Sequence, residues 1–195
     1  MARYAEKKRA TTETDIYIKL NIDGKGNTAI SSGVGFLDHM LTLMAAHGFL
    51  DLEVRATGDI TVDDHHTVED IGIVLGDVLR DAIGDKSGIR RYGSCIVPMD
   101  DALALVAIDI SNRPYLVYNV PIKQDRVGSL DVRLIKEFFR AFVNHCGMTL
   151  HINVFYGDNM HHIIEGVFKA FGQALNEAVA YDQRIERVRS TKGVL

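Results

Sequence analysis

His65-His66-Thr67-Val68-Glu69 and His161-His162-Ile163-Ile164-Glu165 set a pair of imidazoles and a carboxylate at the same spacing twice in one chain. On a helix the first His and the Glu lie roughly 40° apart around the axis and can reach one point, whereas the two His rings diverge by about 100°. The second His stands roughly 60° from the Glu, so spacing leaves open which imidazole pairs with it. One small ion cannot easily take both rings and the carboxylate. The simplest arrangement is two ions, each holding one His and the Glu of one motif and a spare His from another. Imidazole mixed with carboxylate suits Mn, Fe or Zn better than Ca or Mg. A single copy would read more readily as an ordinary helix start, where the dipole favours Glu in the first turn. The duplication argues for ligands.

These groups need rigid elements to hold them. Each motif opens an amphipathic run, Ile71 to Ala82 in the first and Val167 to Val179 in the second. The copies stay in register beyond the ligand types: Gly76 matches Gly172, Leu79 matches Leu175, and Ala82 matches Ala178. Period and length predict helices from His65 to about Ile83, stopped by Gly84, and from His161 to Tyr181. Clean alternation predicts a half-buried strand over Thr14–Ile22, then a turn at Asp23-Gly24-Lys25-Gly26 with Asn27–Ser31 returning as its hairpin partner. A helix from about Phe36 to His47 and a strand over Leu50–Ala56 complete the first half. The second half reads as strands over Ser94–Pro98, Ala102–Ile110 and Tyr115–Val120, a helix from Asp131 to about His145, and a strand over Thr149–Phe155. The result is an α+β fold built from a duplicated strand-strand-helix-strand-helix unit, with one strand more in the second half. Residues 1–88 form the first half-repeat and 89–195 the second, within one compact unit.

The chain is long and apolar enough to bury a sizeable core. Its net charge of −4 is interspersed, with no basic stripe, so nucleic acid is a poor partner. No apolar run reaches membrane-spanning length, and Met1–Ala10 is polar and basic, unlike a secretory signal. Cys95 and Cys146 are isolated, as reduced core cysteines of a cytosolic protein would be.

Several single residues invite two readings. His39 and His47 face broadly one way on the helix before the first motif; surface placement and a dipole-favoured helix end explain them as well. Near Glu137 lies the position of the second half that matches His39. His145 and His151 match nothing in the first half and read as surface or loop. Arg91 and Arg113 could clamp a phosphate or carboxylate, or simply be solvated. Lys169 follows Glu165 at the spacing of an ordinary ion pair, and could equally be a ligand contact. Ser190-Thr191-Lys192-Gly193 suits phosphate but also a frayed terminus.

The segments Gly35-Phe36-Leu37-Asp38-His39-Met40-Leu41, Ala56-Thr57-Gly58-Asp59, Asp64 to Ile71, Pro98-Met99-Asp100, Asp109 to Pro114, and His161 to Glu165 together resemble the imidazoleglycerol-phosphate dehydratase family of histidine biosynthesis. Ser190-Thr191-Lys192-Gly193 fits as well. The resemblance covers nearly the whole chain. It implies a fold like ribosomal protein S5 domain 2 and a cytoplasmic hydro-lyase. It also implies a 24-subunit homo-oligomer whose active sites, with two Mn ions each, lie between subunits. Carried over, the metal ligands would be His39, His65, His66, Glu69, His161, His162 and Glu165. Arg91, Arg113, Ser190, Thr191 and Lys192 would hold the substrate phosphate. Glu13, His39, His47 and Lys169 would line the substrate, with Glu13 as general acid/base and the metal-side Glu69 and Glu165 as the alternative. Many members carry His where this chain has Glu137. From the residues alone, a two-metal phosphoester hydrolase and a metal-dependent assembly protein remain competing classes; the hydrolase would more often show Asp-rich ligands.

Overall fold

A computed structural model describes residues 3–195. The buried faces follow the sequence periods. β2 (Thr14–Asn21) turns Ile16, Ile18 and Leu20 inward, and β6 (Ala102–Asp109) turns Ala102, Ala104, Val106 and Ile108 inward. These two strands are the centre of two four-stranded sheets. The first has the order β1 (Tyr4–Ala10), β2, β4 (Asp51–Gly58), β3 (Thr28–Ser31). The second has the order β5 (Tyr92–Met99), β6, β10 (Thr149–Tyr156), β7 (Tyr115–Asn119). In each, three strands run antiparallel and the last edge strand is parallel to its neighbour. A short ribbon, β8 (Arg126–Val127) with β9 (Leu130–Asp131), is the only strand pair outside this scheme among the described residues.

Three expectations change. Residues 28–31 do not form a hairpin with β2: β3 lies parallel to β4 on the far side of the sheet. The Asp51 carboxylate takes the N–H groups of Lys25 and Asn27, which pins the connecting loop to the start of β4 instead of closing a tight turn. Tyr4–Ala10, a polar and basic stretch given no element from the sequence, pairs along its length with β2. It is an edge strand with charged side chains and half-buried alternate residues, so it carries no apolar alternation to reveal it. With β1 counted, the halves have the same order, three strands, helix, strand, helix, and the extra strand of the second half disappears. The third helix starts at Leu134, not Asp131, because Asp131 belongs to β9.

Among the described residues, four helices fill the space between the sheets: α1 (Gly35–Gly48), α2 (His65–Ile83), α3 (Leu134–Cys146) and α4 (Met160–Val179). They pair across the halves, α1 on α4 and α2 on α3. Phe138, Phe139, Phe142, Phe168 and Phe171 join α3 to α4 through close ring contacts in a single core. The matched glycines sit where the paired helices touch. A Cβ on Gly172 would stand 2.3 Å from the Met44 carbonyl oxygen of α1, and one on Gly76 would stand 2.6 Å from that of Phe142 on α3. Gly172→Ala must therefore push α1 away from α4. Overpacking of this kind costs roughly 3 kcal/mol, a drop in thermal midpoint on the order of 10 °C by scanning calorimetry. No described helix is long and apolar enough to cross a membrane.

Candidate active site

The close crossing of α1 on α4 brings residues from both halves to one place. Glu165 is buried in the second turn of α4, and its Oε2 lies 3.1 Å from His161 Nε2 and 3.7 Å from His39 Nε2 of α1. Lys169 Nζ is 2.6 Å from Glu165 Oε1. Burial opposes ionisation of Glu165, but the bonds from Lys169 and His161 outweigh it and hold the carboxyl below its usual range. His47, at the end of α1, feels the same group: burial and then the Lys169 charge lower its pKa, and Glu165 partly offsets them. His39, His161 and Glu165 offer ligand atoms that all lie within 4.8 Å of one another.

The first motif is arranged alike at the start of α2. His65 Nε2 faces Glu69 Oε2 at 3.5 Å, so in both copies it is the first His that shares a point with the Glu. The second His of each copy turns elsewhere. His66 Nδ1 lies 3.0 Å from Asp59 Oδ2 and 3.7 Å from Glu13 Oε2, and Glu13, Asp59 and His66 form a second ligand-type cluster. His162 Nδ1 lies 2.6 Å from Asp101 Oδ1. These carboxylates raise the pKa of both rings. Glu13 and Asp101 hold the same place in their halves, each being the last residue before the second strand of its sheet. Neither Asp59 nor Asp101 was assigned chemistry from the sequence; a carboxylate in a turn gives no spacing signal toward a helix far along the chain.

The helix ends also correct the reading of His145. His47 and His145 stand equally far before the left-handed residue that ends their helix, Phe49 in α1 and Gly147 in α3. They are therefore counterparts, although their neighbours differ: His145 Nδ1 meets Asp77 at 3.0 Å. By the same count Glu137 is the counterpart of His39. Its carboxylate pairs with Arg140 one turn on, rather than with the first motif.

A cationic pocket forms where β5 begins. Arg91, Tyr92, Arg113, Arg189, Ser190, Thr191 and Lys192 line it. Arg91 is buried, not solvated: its Nε and Nη2 donate to Asp109 at 2.6 and 3.0 Å, and its Nη1 donates to the Arg189 carbonyl at 2.8 Å. Arg113 Nη2 shares the same carboxylate at 3.5 Å. Asp109 thus serves two arginines, and Arg189 and Lys192 add further positive charge. Arg189, which the sequence did not single out, also lies over the Tyr92 ring. A pocket of this charge suits a phosphate.

Imidazole–carboxylate clusters at helix starts, together with an arginine-rich anion pocket in a duplicated sheet-and-helix frame, put the chain in the class of metal-dependent α+β enzymes that handle phosphorylated small molecules. A family model for imidazoleglycerol-phosphate dehydratase matches residues 32–175. The imidazoleglycerol-phosphate dehydratases of Citrifermentans bemidjiense and Pelobacter propionicus are each 59% identical over 195 residues, all of both chains. The crystal structure of the Staphylococcus aureus enzyme superposes with a TM-score of 0.84 at 44% identity, covering 92% of this chain and 99% of that one. The Pyrococcus furiosus enzyme in complex with (S)-C348 gives 0.84 at 42% identity, covering 97% and 100%. The chain belongs to the imidazoleglycerol-phosphate dehydratase family, hydro-lyases of histidine biosynthesis.

Proposed function

We propose that the chain removes water from D-erythro-imidazole-glycerol phosphate to give imidazole-acetol phosphate, in the cytoplasm, at sites completed between copies of itself. One separation carries this reading. The Arg91 N–H bonds to the Ala178 carbonyl near the end of α4, whereas Glu165 lies near its start, about 20 Å away along the axis. The first motif opens α2, whose far end leads into the loop bearing Lys86, bonded to Asn112 beside Arg113. Substrate ring and phosphate are separated by one short glycerol chain, so a single copy cannot hold both ends. A closed homo-oligomer can, and the 24-subunit shell expected from the resemblance would supply the contacts.

The donor set fits Mn. His39, His161 and Glu165 converge in one chain, and His65 with Glu69, His66 and His162 present further imidazole and carboxylate atoms for a neighbour's site. Two bound Mn ions would supply Lewis acidity toward the substrate imidazole. The chain's own residues do the rest. Arg91, Arg113, Ser190, Thr191 and Lys192 bind the phosphate and fix the glycerol chain. His47 and Lys169 line the substrate beside Glu165. Glu13 takes the proton from the side-chain carbon next to the one that loses hydroxide. The resulting enol takes a proton back at the ring-side carbon and becomes the ketone.

Subunit mixing tests the reading. Arg91→Ala and Glu165→Gln are each expected to be inactive alone. Dissociated and reassembled together in equal amounts, they should recover roughly a quarter of the wild-type rate, because random assembly brings an intact pocket to an intact cluster at that frequency. Recovery of nothing from well-formed mixed particles would place the whole site within one chain.

A further inference from the structure

The geometry points to Asp101 as a positioning residue that fixes the ring tautomer of His162 by holding its own carboxylate in one orientation. The inference rests on the reading of His162 as a metal ligand. Asp101 Oδ2 accepts the N–H groups of Asp158 at 2.7 Å and Asn159 at 2.9 Å, the two residues that lead into α4. Its other oxygen, Oδ1, is thereby aimed at His162 Nδ1, 2.6 Å away. A carboxylate oxygen only accepts, so Nδ1 carries the proton of the neutral ring; Nε2, with the Asn159 amide at 3.5 Å and Asp100 Oδ2 farther off at 3.6 Å, keeps the lone pair that a metal needs. The second half thus ties the entry to α4 and the state of its ligand to one side chain.

The first half reaches the same end differently. Asp59 meets His66 Nδ1 through both oxygens, at 3.2 and 3.0 Å, and among the described residues neither oxygen accepts a backbone N–H. No backbone bond fixes its orientation as in Asp101, although its contact with the ring is alike. Glu13, which occupies the place of Asp101, stands back at 3.7 Å from the same nitrogen.

This difference makes an amide substitution discriminating. In Asp101→Asn the two N–H groups of Asp158 and Asn159 keep the amide oxygen where Oδ2 was. The NH₂ group then faces His162 Nδ1, donates to it, and forces the ring proton onto Nε2. In Asp59→Asn the amide can turn its oxygen toward His66, and the tautomer survives. Protein freed of metal by a chelator would be titrated with Mn alone by calorimetry, with the thermal midpoint of the metal-free protein measured alongside. Asp101→Asn is expected to weaken Mn binding roughly 10- to 100-fold with an unchanged midpoint, whereas Asp59→Asn stays within about threefold of wild type. Asp101→Ala should lose both affinity and stability, because it also strands the two N–H groups. Wild-type affinity in Asp101→Asn, or equal losses in the two Asn variants, overturns the proposal. If Asp101→Asn does not fold, nitrogen NMR of the His162 ring in the metal-free wild-type protein carries the test: a proton on Nδ1 is expected, and a neutral ring protonated at Nε2 overturns the proposal. Absence of Mn binding by the wild-type protein removes the ligand role of His162 itself, a separate failure that takes the proposal with it.

Discussion

Glu13→Gln is expected to lower kcat by roughly 10²- to 10⁴-fold, the usual worth of a positioned acid/base, while the protein keeps its Mn. The carboxylate is exposed at the turn before β2, 3.7 Å from His66 Nδ1. It belongs to the cluster with Asp59 and His66, so it lies beside a proposed ligand without being bound up in the core. Glutamine has the same shape and can still accept from a ring N–H, but it cannot take a proton from carbon. Metal content by elemental analysis separates the two roles open to Glu13. A residue that only supported His66 would lose metal together with rate. Undiminished kcat in the glutamine variant would remove Glu13 from the proton-transfer step and return that role to Glu69 or Glu165.

Glu165→Ala should abolish dehydration and weaken Mn binding by more than about a hundredfold, since losing a direct ligand exceeds the loss of a group behind one. Three side chains converge on this carboxylate: His161, His39 and Lys169. Without it the two imidazoles lose the anion that makes their cluster attractive to a cation, and the Lys169 ammonium adds repulsion. That ammonium is largely buried and would also lose its partner, at a further cost of about 1–3 kcal/mol. Calorimetric titration with Mn and a dehydration assay before and after chelation measure both effects. Full activity in the alanine variant, or wild-type protein that keeps its rate once stripped of metal, would refute the proposed ligand role of this cluster.

The two effects bear on different layers of the site, and the sequence showed them unequally. The type and spacing of the ligand residues were legible because a helix is local. With both motifs at the start of strongly amphipathic runs, α2 spans the predicted residues and α4 departs from prediction only at its ends. The repeated register of Gly76 and Gly172 was visible too, but its cause was not; both glycines sit where two backbones meet. The charged edge strand β1 hid because an edge facing solvent needs no apolar alternation.

The duplicated α+β plan, the imidazole–carboxylate chemistry and the family were legible along the chain, since these reside in residue types and in distances of a few positions. The folded arrangement was needed to show that β3 joins β4 and that His39 crosses to the other half's Glu165. It alone turned the second His of each motif toward Asp59 or Asp101, and set the anion pocket at the far end of α4. Those facts depend on which faces bury against each other. A contact between residues far apart in sequence is fixed by the packing of whole elements, and no local pattern encodes it.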